Sequence, residues 1–208
     1  LETSKRYRVK RMIYISSESV LQDKGNLLDV NESAPYPKEP NSYYGKSKML
    51  AEQSLLKDNS AVEKIIIRPT FIWGPSVPTV KTIAEKSQQG KFMWVNHGAS
   101  MMEMVHADNV SEMIRLTLTK GENKDIFFVT DDNPKPAKQF LNDLLSTQNV
   151  TLTKKSIPEI IAPPAAAFIE SIWKIFHLSS VPPMTRFDLA FITQARRYDI
   201  TKAKSIGY

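Results

Sequence analysis

At 208 residues with 41% apolar content the chain is long enough to bury a core of its own, and a charged fraction of 24% without repeats or heptads excludes a disordered tract and a coiled coil. The net charge of +6 invites an anionic partner, but the lysines are scattered and no basic stripe is interleaved with aromatics, so nucleic acid is not expected. Absence of cysteine excludes disulfides, thiolate chemistry and cysteine-based metal sites, and fits a reducing, cytoplasmic setting.

In chain order, the first feature is a basic cluster, Lys5, Arg6, Arg8, Lys10 and Arg11, read as the solvated end of a helix before a buried strand. No signal peptide is visible, and a start at Leu1 so close to a strand suggests a fragment of a longer protein. Met12 to Ile15 is a short continuous apolar run, as in strands buried on both faces of a parallel sheet. A long loop rich in Asn, Asp, Pro and Ser is expected from Gly25 to Ser42, and a helix from about Ser42 to Leu56.

Lys64 to Arg68, with three consecutive isoleucines, predicts a second fully buried strand stopped by Pro69. The order strand, loop, helix, strand makes a crossover, and hence an α/β chain with a parallel sheet. Beyond Gly74 the pattern predicts a helix over 80–89, short strands near 92–95 and 103–106, and a helix over 108–118 capped by Asp108. A strand over 126–129 and a helix over 137–145 follow, then a helical, loop-rich remainder. The change of character near Gly74 divides the chain into a catalytic part, 1–75, and a substrate-binding lobe, 76–208, interleaved with remaining sheet elements.

The apolar stretch Ile160 to Leu178 is interrupted by Pro163, Pro164, Glu170 and Lys174, which argues against a bilayer span. Phe168, Ile169, Ile172, Trp173 and Phe176 recur at helical spacing. That face can serve as core, as a hydrophobic substrate wall or as a peripheral membrane contact, in that order.

Tyr44 and Lys48 stand four residues apart at the start of a helix, so phenol and ammonium share one face. A free phenol has a pKa of about 10, too high for a base at neutral pH, and a nearby ammonium lowers it. Such a group can exchange a proton with a carbonyl or alcohol oxygen while hydride moves. The same spacing also occurs on ordinary exposed helices; pairing Tyr43 with Ser47 instead supplies no cation. Ser16, Ser17, Glu18 and Ser19 follow the carboxyl end of the first buried strand, where open α/β sheets place ligands. Their hydroxyls can meet a substrate oxygen, or merely satisfy backbone groups in the turn. Arg68 to Pro75 follows the second strand at the same sheet edge, and one of its backbone N–H groups could hold a planar carboxamide.

Taken together, the Ser-Ser turn, Tyr44-Gly45-Lys46-Ser47-Lys48 with Ala51-Glu52, and Arg68-Pro69-Thr70-Phe71-Ile72-Trp73-Gly74-Pro75 resemble the extended short-chain dehydrogenase/reductases. The resemblance implies a catalytic triad of Ser17, Tyr44 and Lys48. Lys48 would also bind the nicotinamide ribose, with Tyr44, Pro69, Thr70, Phe71 and Ile72 meeting the cofactor and Glu18 and Ser19 facing substrate. His106-Ala107-Asp108-Asn109-Val110, Pro182 to Phe187, and Tyr198 to Lys204 with Gly207-Tyr208 narrow it to the 3β-hydroxysteroid dehydrogenase-like branch. That branch includes sterol-4α-carboxylate dehydrogenases and reductases of long-chain β-keto and β-hydroxy acids.

The implied fold is the C-terminal part of a Rossmann-type doubly wound parallel sheet with a smaller, mostly helical lobe. The implied cofactor is NAD or NADP, the partner a small hydrophobic substrate, and a homodimer is left open. Nucleotide-sugar epimerases or dehydratases share the triad, and a non-catalytic NAD(P)-binding-fold protein is the other alternative. The three histidines have no ligand spacing, so no metal site is expected, and His106 is read as structural. The seven glycines form no Gly-x-x-Gly-x-x-Gly cradle for a pyrophosphate. On the family pattern that cradle would precede Leu1 by on the order of a hundred residues, at ~30 per βαβ unit.

Overall fold

A computed structural model describes residues 1–23, 25–75, 77–179, 182, 189 and 193–208. The 183–187 part of the C-terminal resemblance lies outside the described residues. The chain divides into two compact units. The first comprises 1–74, 103–133 and 197–208, the second 75–102 and 134–196.

The first unit opens with a short helix, α1 (Glu2–Arg6), then β1 (Arg11–Ile15). Of the basic cluster, Lys5 pairs with Glu2 and Asp58. Arg11 does more. Its guanidinium donates to the carbonyls of Thr117 and Lys120 at 2.9 and 2.7 Å, which a helix end leaves without intrahelical partners, and pairs with Glu63 at 2.7 Å. Past β1 lies a single 3-10 turn (Glu18–Val20), and after it α2 (Tyr43–Lys57), whose N-cap Ser42 accepts the Gly45 N–H at 3.0 Å.

The central strand is β3 (Glu63–Pro69), flanked on one side by β1 and on the other by β8 (Ile126–Val129), both parallel to it. Ile65, Ile66 and Ile67 are fully buried, as a strand with neighbours on both edges and both faces requires. Pro69 does not stop this strand but forms its last position, opposite Val129, where a missing N–H costs the ladder little. β4 (Phe71–Trp73) follows at once and pairs in parallel with β7 (Met104–His106). Helix α4 (Ala107–Thr117) then leads back to β8. Met49, Ile65, Ile67, Val105, Met113 and Phe127 to Val129 form one continuous core.

The loop expected over 25–42 contains a strand, β2 (Leu27–Val30), paired with β11 (Arg196–Tyr198). Its partner is more than 160 positions away in sequence, and its two middle residues, Leu28 and Asp29, are exposed, so no local pattern announces it. A C-terminal helix (Thr201–Ser205) closes the unit.

The second unit carries α3 (Pro78–Gln88), β5 (Trp94–Val95), β6 (Met101–Met102), β9 (Lys135–Pro136), α5 (Ala137–Ser146), β10 (Ser156–Ile157) and α6 (Ala162–Ile175). The strand expected over 92–95 is confined to its last two residues. Helix α6 meets the core reading on one side only: Ala162 and Ala166 are buried, while Phe168, Ile175 and Phe176 are about two-thirds exposed. No helix among the described residues is long and apolar enough to cross a membrane.

Candidate active site

Two features of the first unit build the site at the carboxyl end of β1. The chain leaves the strand into the 3-10 turn, and the first turn of α2 packs on that turn. The approach is close because position 45 is glycine: a Cβ there would lie 2.4 Å from the Ser19 carbonyl oxygen.

Lys48, one turn further along α2, reaches the end of β1 and donates from Nζ to the Ile15 carbonyl at 2.8 Å. Its ammonium lies 5.9 Å from the centroid of the Tyr44 ring and 5.0 Å from that of Tyr14. Tyr44 and Lys48 thus share a helix face, as their spacing requires, with Lys48 anchored two residues before Ser17. Tyr44 is half exposed and Tyr43 almost fully so.

Tyr14 is a second phenol beside the same cation, which sequence reasoning missed. Burial first, and then the charges of Glu52 and Tyr44, raise its pKa, so it stays protonated where a base is needed.

Ser17 caps the 3-10 turn. Its Oγ accepts the Ser19 N–H at 3.2 Å and lies 3.1 Å from Ser19 Oγ. The turn-satisfying role is therefore present, and it leaves the hydroxyl one further lone pair. Ser17 and Ser19 are both buried.

Glu18 departs from the sequence expectation. Expected to face substrate, it is 4% exposed, with Oε2 accepting the Tyr198 hydroxyl at 2.5 Å. A carboxyl group in the core needs a hydrogen-bond partner, which a β11 tyrosine supplies.

Of the cofactor stretch, Pro69 ends β3 and the Thr70 N–H is already used by the Val129 carbonyl at 3.2 Å. Phe71 and Ile72 are held in β4, opposite Met104 and Val105. A free backbone donor for a carboxamide is accordingly not supplied by Thr70.

Beneath this stretch lies a buried charge network. Arg68 Nη2 meets Glu52 Oε2 at 2.6 Å, and the Tyr36 hydroxyl donates to the same oxygen at 2.6 Å. Burial and the Glu52 charge hold Tyr36 well above the ordinary phenol range, so it remains a donor. The signal was available: an arginine directly after three isoleucines in a central strand has to find an acid.

His106 and Asp108 exchange roles relative to the expectation. Helix α4 begins at Ala107, and its cap is His106, whose Nδ1 accepts the Asp108 N–H at 3.2 Å. Asp131 gathers the Trp73 indole, the Asn109 amide and the His106 N–H at 2.7 to 2.8 Å. That arrangement ties β4 to β7 and to the chain leaving β8, which supports the structural reading of His106.

The profile of the 3-beta hydroxysteroid dehydrogenase/isomerase family matches residues 1–159. Over 204 residues the chain is 31% identical to a 4-hydroxy-2-methyl-3-oxo-4-farnesyl-3,4-dihydroquinoline-1-oxide ketoreductase of Stigmatella aurantiaca, covering 97% of this chain and 61% of that protein. It is also 31% identical to a decarboxylating sterol-4-alpha-carboxylate 3-dehydrogenase of Dictyostelium discoideum, covering 94% and 62%. The chain therefore spans about three fifths of the length of these relatives. Among solved structures, a UDP-glucuronic acid 4-epimerase from Bacillus cereus in complex with NAD superposes with a TM-score of 0.66 at 16% identity, covering 98% of this chain and 57% of the epimerase. That likeness concerns the fold.

Proposed function

The chain belongs to the 3-beta hydroxysteroid dehydrogenase/isomerase family, and from that premise we propose that the intact protein interconverts a secondary alcohol and a ketone on a hydrophobic substrate, with NAD or NADP as partner. The observation that carries the reading is the 2.8 Å bond from Lys48 to the Ile15 carbonyl. It fixes the ammonium at the strand end that delivers Ser17 and on the helix face that carries Tyr44.

The residues present fit the nicotinamide-ribose end of such a cofactor. Lys48 has three N–H donors and spends one on Ile15, which leaves two for a vicinal diol. When bound, the nicotinamide accepts or returns the hydride. The chain's own residues handle the oxygen. Ser17 would hold it by hydrogen bond, Tyr44 would take the alcohol proton as the carbonyl forms, or give it back in reduction, and Lys48 would place its positive charge beside the Tyr44 ring as the proton leaves. The ketoreductase and sterol dehydrogenase identities of the two relatives support a bulky, apolar substrate.

Assays of the intact protein against a hydroxysteroid, a long-chain β-hydroxy acid and a nucleotide sugar test this reading. Tyr44→Phe is expected to lower kcat roughly 10²-fold or more with little change in cofactor affinity, and Lys48→Ala to weaken both. Rates equal to wild type in Tyr44→Phe on every substrate would overturn it and favour a non-catalytic binding protein. A Tyr44-dependent rate on the nucleotide sugar alone would move the substrate class to the epimerases and dehydratases.

A further inference from the structure

Glu18 follows Ser17 directly, yet its side chain is turned into the core. There it meets Tyr198, which is 3% exposed and whose ring stacks on Phe128 with centroids 4.5 Å apart. Tyr198 is engaged at both ends. Its hydroxyl donates to Glu18, and its backbone N–H donates to the carboxyl of Glu103, a residue 2% exposed. The second oxygen of Glu103, Oε2, has no hydrogen-bond partner among the described residues. One tyrosine thus bridges two buried carboxyl groups, one of them attached to the residue next to Ser17.

Burying two acids is costly unless their placement is needed, and apolar residues of similar size would fill the same space. What the acids supply is direction. A bond from Glu18 Oε2 to a ring wedged against Phe128 admits one position of the 3-10 turn, and Ser17 Oγ is the cap of that turn. Packing alone would tolerate a shift. A misplacement of about 1 Å at a reacting group is enough to cost on the order of 10²-fold in rate.

Resting on the reading of Ser17 as the residue that holds the reacting oxygen, we propose that Glu18, Tyr198 and Glu103 form a positioning unit that sets the place of Ser17. Glu18 is then a positioning residue rather than a substrate contact. The unit acts on turnover and leaves the nicotinamide end, where Lys48 sits on Ile15, unchanged.

The test uses the intact protein and whichever of the hydroxysteroid or the long-chain β-hydroxy acid shows a Tyr44-dependent rate. Tyr198→Phe removes the donor and keeps the ring; kcat, corrected for the folded fraction, is expected to fall at least tenfold while the cofactor KM stays within about twofold. Should Tyr198→Phe fail to fold, the Glu18 pair decides. Glu18→Gln keeps an acceptor oxygen for Tyr198 and is expected to turn over at least tenfold faster than Glu18→Ala. A kcat in Tyr198→Phe or Glu18→Ala equal to wild type overturns the positioning unit and leaves the Tyr44 reading standing. An increase of cofactor KM in step with the loss of kcat overturns it too, because the damage would then be general. Absence of any Tyr44-dependent rate on the hydroxysteroid, the β-hydroxy acid and the nucleotide sugar alike overturns both.

Discussion

At residue 45 one hydrogen atom in place of a methyl group decides how the 3-10 turn after β1 and helix α2 meet. The Cβ of an alanine would sit 2.4 Å from the Ser19 carbonyl oxygen, and the obstacle is backbone, which cannot rotate away. Gly45→Ala is therefore expected to destabilise the chain by about 1–3 kcal/mol despite alanine's better helix propensity, because overpacking outweighs it. Thermal unfolding checks this, and a stability equal to or above wild type would show that the turn gives way freely. The Glu52 and Arg68 pair makes the complementary case. Both side chains are at most 1% exposed, so Glu52→Gln leaves a guanidinium buried without its counter-charge. A loss of about 3–5 kcal/mol is expected. Denaturant titration measures it, and a loss below 1 kcal/mol would mean that Tyr36 alone suffices. Tyr44, Lys48 and Ser17 could be picked out together because their placement depends on spacing within one helix and on one strand end. The burial of Glu18 against Tyr198 was not legible, because that partner stands 180 positions away.

At the level of elements, the strands 11–15, 63–69 and 126–129 and the helix over 43–57 were legible in the sequence, although β1, expected to be buried on both faces, is partly exposed along its whole length. Each is a continuous apolar run or an amphipathic segment with its own start signal. Short elements were not. β2 exists only by virtue of β11, and the cap of α4 moved from Asp108 to His106 because an imidazole nitrogen can accept the same N–H. Glu103, just before β7, was equally illegible, since nothing local marks a glutamate that the fold will bury. Burial lifts its pKa from an ordinary 4.5 to about 7, with the charges of Asp132 and Glu18 adding to the rise and the bonds from Thr130 and Tyr198 opposing it. The folded chain then keeps a proton that the unfolded chain releases. Stability from this group is fully present below about pH 4.5 and is lost as pH rises through about 7, a change of order 3 kcal/mol. Denaturation midpoints at pH 4.5 and 8 are expected to converge in Glu103→Gln relative to wild type. An unchanged difference between the two pH values would place the Glu103 proton elsewhere.

For the molecule as a whole, the two edges of the central sheet are treated differently. At β8 the Phe128 N–H is taken by the Glu32 carboxylate at 2.9 Å, and the C-terminal helix packs on the strand. A side-chain oxygen on an edge amide blocks strand addition there. At β1 every residue is partly exposed, and its pairing among the described residues is with β3 alone. Apart from the Ile15 carbonyl, which Lys48 holds, this edge carries Met12, Ile13 and Tyr14 and offers both hydrogen bonds and apolar surface to another strand. Expressed as these 208 residues, the chain is therefore expected to self-associate in a concentration-dependent way through β1, to be followed by sedimentation. Hydrogen exchange should then show that the β1 amides not bonded to β3 gain protection on association, while the β8 amide of Phe128 is already protected in the dilute chain. A monomer at all concentrations, with cooperative unfolding and slow exchange along β1, would mean that this edge is closed by the chain itself, and would count against the reading of these residues as the continuation of a larger sheet.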